Sequence, residues 1–304
     1  MILSLDNTDR VERIMTNISP GKKFLQALEK NPVLQIVGTV NAYSAILAKK
    51  AGFKAIYLSG AGVANASYGF PDLGITNLNN VLEDVRRITS AVDLPLLVDA
   101  DTGFGGTLNV ANTIKEICKA GACGVHLEDQ VINKRCGHRD GKQLVSKDEM
   151  CEKILAARKA IELNKLDPDF IIMARTDAIA NEGLESAIDR AKDYISNGAN
   201  MIFVEAITDI KDYKVFTSKI KVPVLANITE FGKTPLFTLD ELEAAGIKMA
   251  LYPLSAFRAM SKAALNVYNT IKHDKTQKAV VETMETREEL YSNLDYYNFE
   301  KQLN

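Results

Sequence analysis

Two aspartates separated by one residue, Asp99 and Asp101, close the apolar run PLLVDAD (Pro95–Asp101). On a strand, residues two apart face the same way. Like charges held side by side repel unless a cation or a proton lies between them. A hard divalent ion with oxygen ligands answers that need, Mg²⁺ first and Mn²⁺ as the alternative. Glu128 ends the next such run, GVHLED, and can complete the site directly or through water. A plainer role also exists for both aspartates. Asp101 opens the turn Gly103-Phe104-Gly105-Gly106, and Asp99 caps a backbone amide.

The second cluster is Lys134-Arg135-Cys136-Gly137-His138-Arg139. Cationic neighbours depress a thiol pKa, which makes Cys136 a candidate acid, base or nucleophile. The basic residues around it are candidate carboxylate binders. The same composition also suits a solvated basic loop. Arg175 and Glu205 end two further runs, either as site residues or as a structural ion pair. His126 alternates with Glu128, so it lines the same site or is a satisfied core histidine. Ser59-Gly60-Ala61-Gly62 is weakly phosphate-like, but Asn65 stands where a dinucleotide fingerprint needs its third glycine.

All of these residues lie where a short apolar run stops. Eight such runs occur: QIVGTV, AIYLSG, PLLVDAD, GVHLED, FIIMARTD, MIFVEA, VPVLAN and MALYPL. Most are continuous rather than alternating, as in parallel strands buried on both faces. Helical stretches separate them, among them 79–91, 108–120, 147–163 and 184–197. Several runs follow a small residue plus Gly or an Asn-Gly pair (Ala51-Gly52, Ala120-Gly121, Asn197-Gly198, Ala245-Gly246), which suits a left-handed helix cap. Strand–helix alternation repeated eight times predicts an α/β fold, a (β/α)8 TIM-type barrel, with a doubly wound sheet as the alternative. In a barrel, residues at the C-terminal strand ends converge on one mouth. The barrel is expected over residues 1–256, including a helical N-terminal segment. Residues 257–304 would add C-terminal helices to the same fold, beginning with one over 257–272 and running into a charged, Tyr-rich tail.

At 304 residues and 46% hydrophobic composition the chain can bury a large core without staples. Thirty-seven Lys and Arg against 39 Asp and Glu leave a formal charge of −2, which argues against nucleic-acid and membrane-surface partners. No apolar run is long enough to span a bilayer, and Met1–Asp6 has neither the basic head nor the apolar stretch of a secretion signal. Four cysteines without a CxxC pair predict a reducing, cytoplasmic setting, with Cys118, Cys123 and Cys151 in the core.

Taken together, VDADTGFGG, HLEDQ, KRCGH, MARTDA, NITEFG and LYPLSAFRAM resemble the isocitrate lyase/phosphoenolpyruvate mutase superfamily, from about residue 33 to the tail. KRCGH points to its lyase branch. The resemblance implies a Mg²⁺ site on Asp99 and Asp101, with Glu128 and Asp72 reaching the metal through water. It implies substrate contacts from Ser59, Gly60, Ala61, Cys136, Gly137, Arg175, Glu205, Asn227, Ile228, Thr229, Arg258 and Arg287. Ala61 departs from the Ser-Gly-Gly common in the family. Cys136 would be the catalytic acid, Tyr57 the base, and His138 a basic group stabilising the developing charge. The activity implied is cleavage of a small tricarboxylate, 2-methylisocitrate, to pyruvate and succinate, as in propionate breakdown through the methylcitrate cycle. The alternatives are isocitrate cleavage to glyoxylate and succinate, or another C–C bond reaction such as oxaloacetate hydrolysis. A non-catalytic barrel scaffold would have lost the metal or thiol residues, and none is lost. The family also implies a homotetramer whose C-terminal helices are exchanged between barrels.

Overall fold

The structure is a computed structural model that describes residues 18–137, 139 and 141–303. Eight strands close into a barrel: β1 (Leu34–Gly38), β2 (Ala55–Leu58), β3 (Leu96–Asp99), β4 (Gly124–Glu128), β5 (Ile171–Thr176), β6 (Met201–Val204), β7 (Val224–Asn227) and β8 (Met249–Tyr252). Each is parallel to the next, and β8 returns to β1 with Ile36 opposite Leu251. The barrel expected from the sequence is therefore the one observed, and the doubly wound sheet is excluded.

Every residue of β2 through β7 is buried, which explains why these runs are continuously apolar. One set of side chains packs outward under the helices, including Ile56, Val98, Val125, Ile172 and Ile202. The alternate set fills the lumen: Ile36, Tyr57, Leu97, Met173, Phe203, Leu225, Met249 and Leu251. Phe24, from the helix Pro20–Glu29, joins the lumen cluster. Along five lumen rows an apolar or aromatic lower layer gives way to a polar last position. Tyr57 is followed by Ser59, Leu97 by Asp99, Met173 by Arg175, Phe203 by Glu205 and Leu225 by Asn227. The period of two sends the apolar layer and the polar crown to the same face of each strand.

The helix ends follow local chemistry. Gly52, Gly121, Gly198 and Gly246 all adopt positive φ after their helices, as a left-handed cap requires. Ser146 caps the helix Lys147–Leu163 by accepting from the Glu149 amide at 3.1 Å. Of the three cysteines expected in the core, only Cys123 is buried. Cys118 and Cys151 lie on helices and are half-buried, because a helix presents only a stripe of its surface to the barrel.

Closure of the barrel depends on Gly38. A β-carbon there would overlap the Pro253 carbonyl, pushing β1 away from β8. Gly38→Ala is therefore expected to destabilise the fold by about 1–3 kcal/mol. Urea unfolding followed by circular dichroism measures it; an unchanged midpoint would show that the seam tolerates a methyl group.

Past β8 the chain forms the helix Ser255–Asp274, starting two residues before the helix expected from the sequence. None of its 20 residues is buried. Met260, Leu265, Tyr268 and Ile271 present a partly exposed apolar face. The helix Arg287–Asn293 then packs near Ala42–Lys50 on the outside of the barrel, where Tyr43 Oη donates to Glu285 and Lys50 Nζ to Asn293.

Candidate active site

The polar crown surrounds a cavity of about 330 Å³ at the C-terminal mouth of the barrel. Asp99, at the top of β3, is held by backbone amides. Its Oδ2 accepts from Gly60 N at 2.9 Å and from Tyr57 Oη at 3.3 Å, and its Oδ1 accepts from Asp101 N at 3.0 Å. Asp101 stands in the turn with φ 46°. The plainer role considered for this pair is present: Asp99 accepts backbone amides and Asp101 shapes the turn, and their carboxylates lie close together in one buried well.

Lys134 reaches into that well. Its Nζ lies 2.6 Å from Asp101 Oδ1 and 2.6 Å from Asp72 Oδ1. The carboxylates outweigh the cost of burial and keep this ammonium protonated far above its ordinary range. Burial and the neighbouring Asp99 charge raise Asp101 to about 6, although Lys134 opposes them. Asp99 is also buried, yet the surrounding positive charge holds it well below the usual carboxylate range. Glu128 is driven well above its ordinary value by burial, and its Oε1 has no hydrogen-bond partner among the described residues.

These oxygens suit a divalent cation. Asp99, Asp101, Asp72 and Glu128 are hard donors, and the buried Glu128 Oε1 is left without a donor of its own. Among the described residues no group of three His, Cys, Asp or Glu side chains closes a complete ligand set. The chain would thus supply few direct ligands and leave the rest to water, as Mg²⁺ prefers.

Under the aspartates lie Tyr57 and His126. Tyr57 Oη is 2.8 Å from His126 Nε2 and the rings stack at 5.7 Å, while Phe203 meets His126 edge-on at 5.2 Å. Burial lowers the imidazole to about 4, so it is neutral near pH 7. Burial and the Asp99 charge push the Tyr57 phenol well above its ordinary range, so it stands as a protonated hydroxyl. His126 is therefore a fully buried histidine outside the cavity lining, joined to the site through its hydrogen bond with Tyr57.

Arg175 stands beside the carboxylates, its Nε 3.4 Å from Glu128 Oε2, and begins a polar wall. Arg175 Nε donates to Asp177 Oδ2 at 2.9 Å, and its Nη2 lies 3.1 Å from Glu205 Oε2. The guanidinium sits 4.9 Å above the Phe203 ring. The ion pair considered from sequence exists, and both partners also line the cavity. Asn227 Nδ2 donates to Glu205 at 3.3 Å. The loop after β4 lays Cys136 and Gly137 on this wall. A side chain at Gly137 would overlap Arg175 Nη2 and Glu205, so only glycine lets the thiol loop come this close.

Most residues singled out from the sequence line the cavity: Tyr57, Ser59, Ala61, Asp72, Asp99, Cys136, Gly137, Arg175, Glu205, Asn227, Thr229 and Arg258. Gly60 adjoins them, but its amide is committed to Asp99. The Ile228 side chain packs in the outer core and its amide donates to Leu251 O at 2.8 Å, so period two turns it away from the mouth. Arg287 is exposed on its own chain and is not part of that chain's cavity lining. His138 lies outside the described residues.

Sequence reasoning missed three features. Lys134 was grouped with the cations around the thiol, but its ammonium is spent on Asp72 and Asp101. Asp177 shares the face of Arg175 two residues on, a spacing that could have revealed it. Phe231, 95% exposed at the rim with φ 61°, gave no periodic signal; the Arg258 guanidinium lies 5.6 Å from its ring.

Comparison with known proteins agrees with this geometry. The phosphoenolpyruvate phosphomutase family model matches residues 24–272. A 2-methylisocitrate lyase of Escherichia coli (strain K12) is 59% identical over 286 residues, covering 94% of this chain and 95% of that protein. Among solved structures, a 2,3-dimethylmalate lyase described as a PEP mutase/isocitrate lyase superfamily member superposes with a TM-score of 0.86. It is 30% identical and covers 93% of this chain and 94% of its own. A phosphonopyruvate hydrolase in complex with oxalate and Mg²⁺ gives a TM-score of 0.81 at 28% identity, covering 93% and 98%. The chain therefore belongs to the isocitrate lyase/phosphoenolpyruvate mutase superfamily, with its 2-methylisocitrate lyases among its close relatives.

Proposed function

We propose that this chain is a carbon–carbon lyase that cleaves 2-methylisocitrate to pyruvate and succinate. One observation carries the reading. The Cys136–Gly137 loop is pressed onto Arg175 and Glu205, and these four residues line one 330 Å³ cavity together with Asp99 and Asp72. An acid, a carboxylate-binding wall and a candidate metal well thus face one small volume.

Asp99 and Asp101 would hold Mg²⁺, with Asp72 and Glu128 reaching it through water. When bound, the ion would chelate the α-hydroxy acid and lower the pKa of its hydroxyl. Tyr57 is the candidate base for the hydroxyl proton; being a protonated hydroxyl, it takes that proton only by passing its own to His126 Nε2, 2.8 Å away. As the C–C bond breaks, its electron pair moves onto the succinate carbon, and the hydroxyl oxygen becomes the ketone of pyruvate. Arg175 faces the negative charge that develops on the succinyl carboxylate, with His138 as a second candidate. Cys136 then delivers its thiol proton to the carbanion, so one proton is taken from the substrate and one is returned. Ser59, Ala61, Gly137, Glu205, Asn227, Thr229 and Arg258 are the proposed substrate contacts.

Phe203, Leu251, Pro253 and Leu254 form an apolar part of the lining and favour a substrate carrying a methyl group. A methyl group in a pocket is worth about 1–3 kcal/mol, so isocitrate is the main competitor. A pyruvate-coupled assay with 2-methylisocitrate, run beside a glyoxylate assay with isocitrate and with and without Mg²⁺, decides between them. Faster glyoxylate formation would replace the proposed substrate with isocitrate.

The homotetramer with exchanged C-terminal helices is likewise proposed. It is supported by the apolar face of Ser255–Asp274, which buries none of its own residues. It is also supported by the position of Arg287, away from its own cavity, where it remains a substrate contact only for a neighbour's barrel. Truncation before Lys272 is expected to dissociate the assembly and lower activity together. Light scattering on the intact chain checks the first half, and a stable, fully active monomer would refute the exchange. A cytoplasmic location is proposed from the composition; among the described residues no helix is long and apolar enough to cross a membrane.

A further inference from the structure

The loop that carries Cys136 leaves β4 and returns to the helix Lys147–Leu163. Its base is closed by a bridge between Gln130 and Leu144 and by Val131 N donating to Gln143 O at 2.9 Å. Its outgoing arm is clamped by the Gln130 side chain, whose Nε2 donates to Arg135 O at 2.9 Å while its Oε1 accepts from Arg135 N at 3.0 Å. On the returning arm stands Lys142, whose side chain is only 1% exposed. Its Nζ donates to Gly137 O at 2.6 Å and to Asp177 Oδ1 at 2.8 Å. A lysine is rarely buried without a specific partner, and here one partner is the carbonyl of the residue after the thiol.

The other partner is immobile. Asp177 follows Arg175 at the top of β5 and accepts from its Nε and Nη2 at 2.9 and 3.2 Å. The Asp177 amide donates to Asp129 Oδ1 at 2.9 Å. Asp129 is itself fully buried and accepts at Oδ2 from Thr176 Oγ1 at 2.8 Å and Tyr194 Oη at 2.9 Å. Asn181 Nδ2 holds the Lys142 backbone carbonyl at 2.8 Å. A continuous set of hydrogen bonds thus runs from the barrel wall through Asp129, Asp177 and Lys142 to the Gly137 carbonyl.

We propose that Lys142 is a positioning residue, whose ammonium, seated on Asp177, tethers the Gly137 carbonyl and so sets where the Cys136 thiol stands over the cavity. Lys142 does not itself line the cavity and acts through the Gly137 carbonyl it holds. Its catalytic consequence rests on the reading of Cys136 as the proton donor; the tether itself does not. Misplacing a reacting group by about 1 Å can cost on the order of 10²-fold in rate, so one loop anchor has a measurable effect.

The test compares Lys142→Met with Lys142→Arg in the full-length enzyme. Two readouts need no substrate: deuterium exchange of the peptide spanning 134–141, and alkylation of Cys136 by iodoacetamide, resolved from the other cysteines by mass spectrometry. In Lys142→Met, exchange and alkylation should rise several-fold in that loop and stay unchanged in peptides of β3 and β6. The kcat for 2-methylisocitrate should fall about 10-fold or more, with a smaller change in KM, and Lys142→Arg should restore much of it. Wild-type exchange and alkylation in Lys142→Met would overturn the proposal. So would faster exchange throughout the protein with kcat per folded enzyme unaltered, which describes a purely structural lysine. If Lys142→Met does not fold, Lys142→Gln, shorter and neutral but polar, decides by the same readouts. A wild-type enzyme that fails to cleave 2-methylisocitrate would refute the lyase reading, while exchange and alkylation still decide the tether.

Discussion

Exhaustive chelation is expected to abolish cleavage, and added Mg²⁺ to restore it. Asp99, Asp101, Asp72 and Glu128 crowd around one well, and Lys134 and Arg175 are the cations the chain places near it. A divalent ion there would supply several kcal/mol of charge stabilisation, about 10³-fold or more in rate. Asp99→Ala should be equally inactive, but it also removes the acceptor of the Gly60 and Asp101 amides. Orphaning buried amides costs about 1–3 kcal/mol each, so loss of fold could mimic loss of metal. Asp99→Asn is the cleaner variant: the amide oxygen can still accept one of those bonds, while the charge is gone. The measurement is pyruvate release in EDTA after dialysis, with circular dichroism as the control for folding. Full activity in chelator would falsify the metal assignment.

Replacing the thiol is the second large effect. Cys136→Ser should fold, bind 2-methylisocitrate and turn it over about 10²–10⁴-fold more slowly, the range a positioned proton donor contributes. A hydroxyl is nearly isosteric with a thiol but a far weaker acid. Cys136 is half-buried on a loop, outside both apolar clusters, so its replacement creates no cavity in the core. Turnover and calorimetric binding are to be measured on one preparation. Near-normal turnover would make Cys136 a structural residue. Lost binding with retained folding would place it in substrate recognition instead.

The chain itself determined the architecture to an unusual degree. Eight apolar runs separated by helical stretches, four of them preceded by a glycine suited to a left-handed helix cap, leave few alternatives to a parallel barrel. Since period two sends Asp99, Glu128, Arg175, Glu205 and Asn227 to the lumen side of their strands, the crown of the site was legible before any coordinates. Residues between the elements were less legible. Ile228 was grouped with Asn227 and Thr229 as one contiguous segment, but the pleat turns its side chain outward. Lys134 was read by its sequence neighbours, whereas its ammonium lies on Asp72, sixty-two positions earlier, and Asp101. Lys142 carried no signal at all, because its partners, Gly137 and Asp177, meet only when the loop folds back over β5. Local periodicity depends on backbone geometry that a strand or helix repeats, so sequence alone resolves it. Charge pairing across a barrel mouth depends on which loops cross which strand ends, and only the closed tertiary structure decides that.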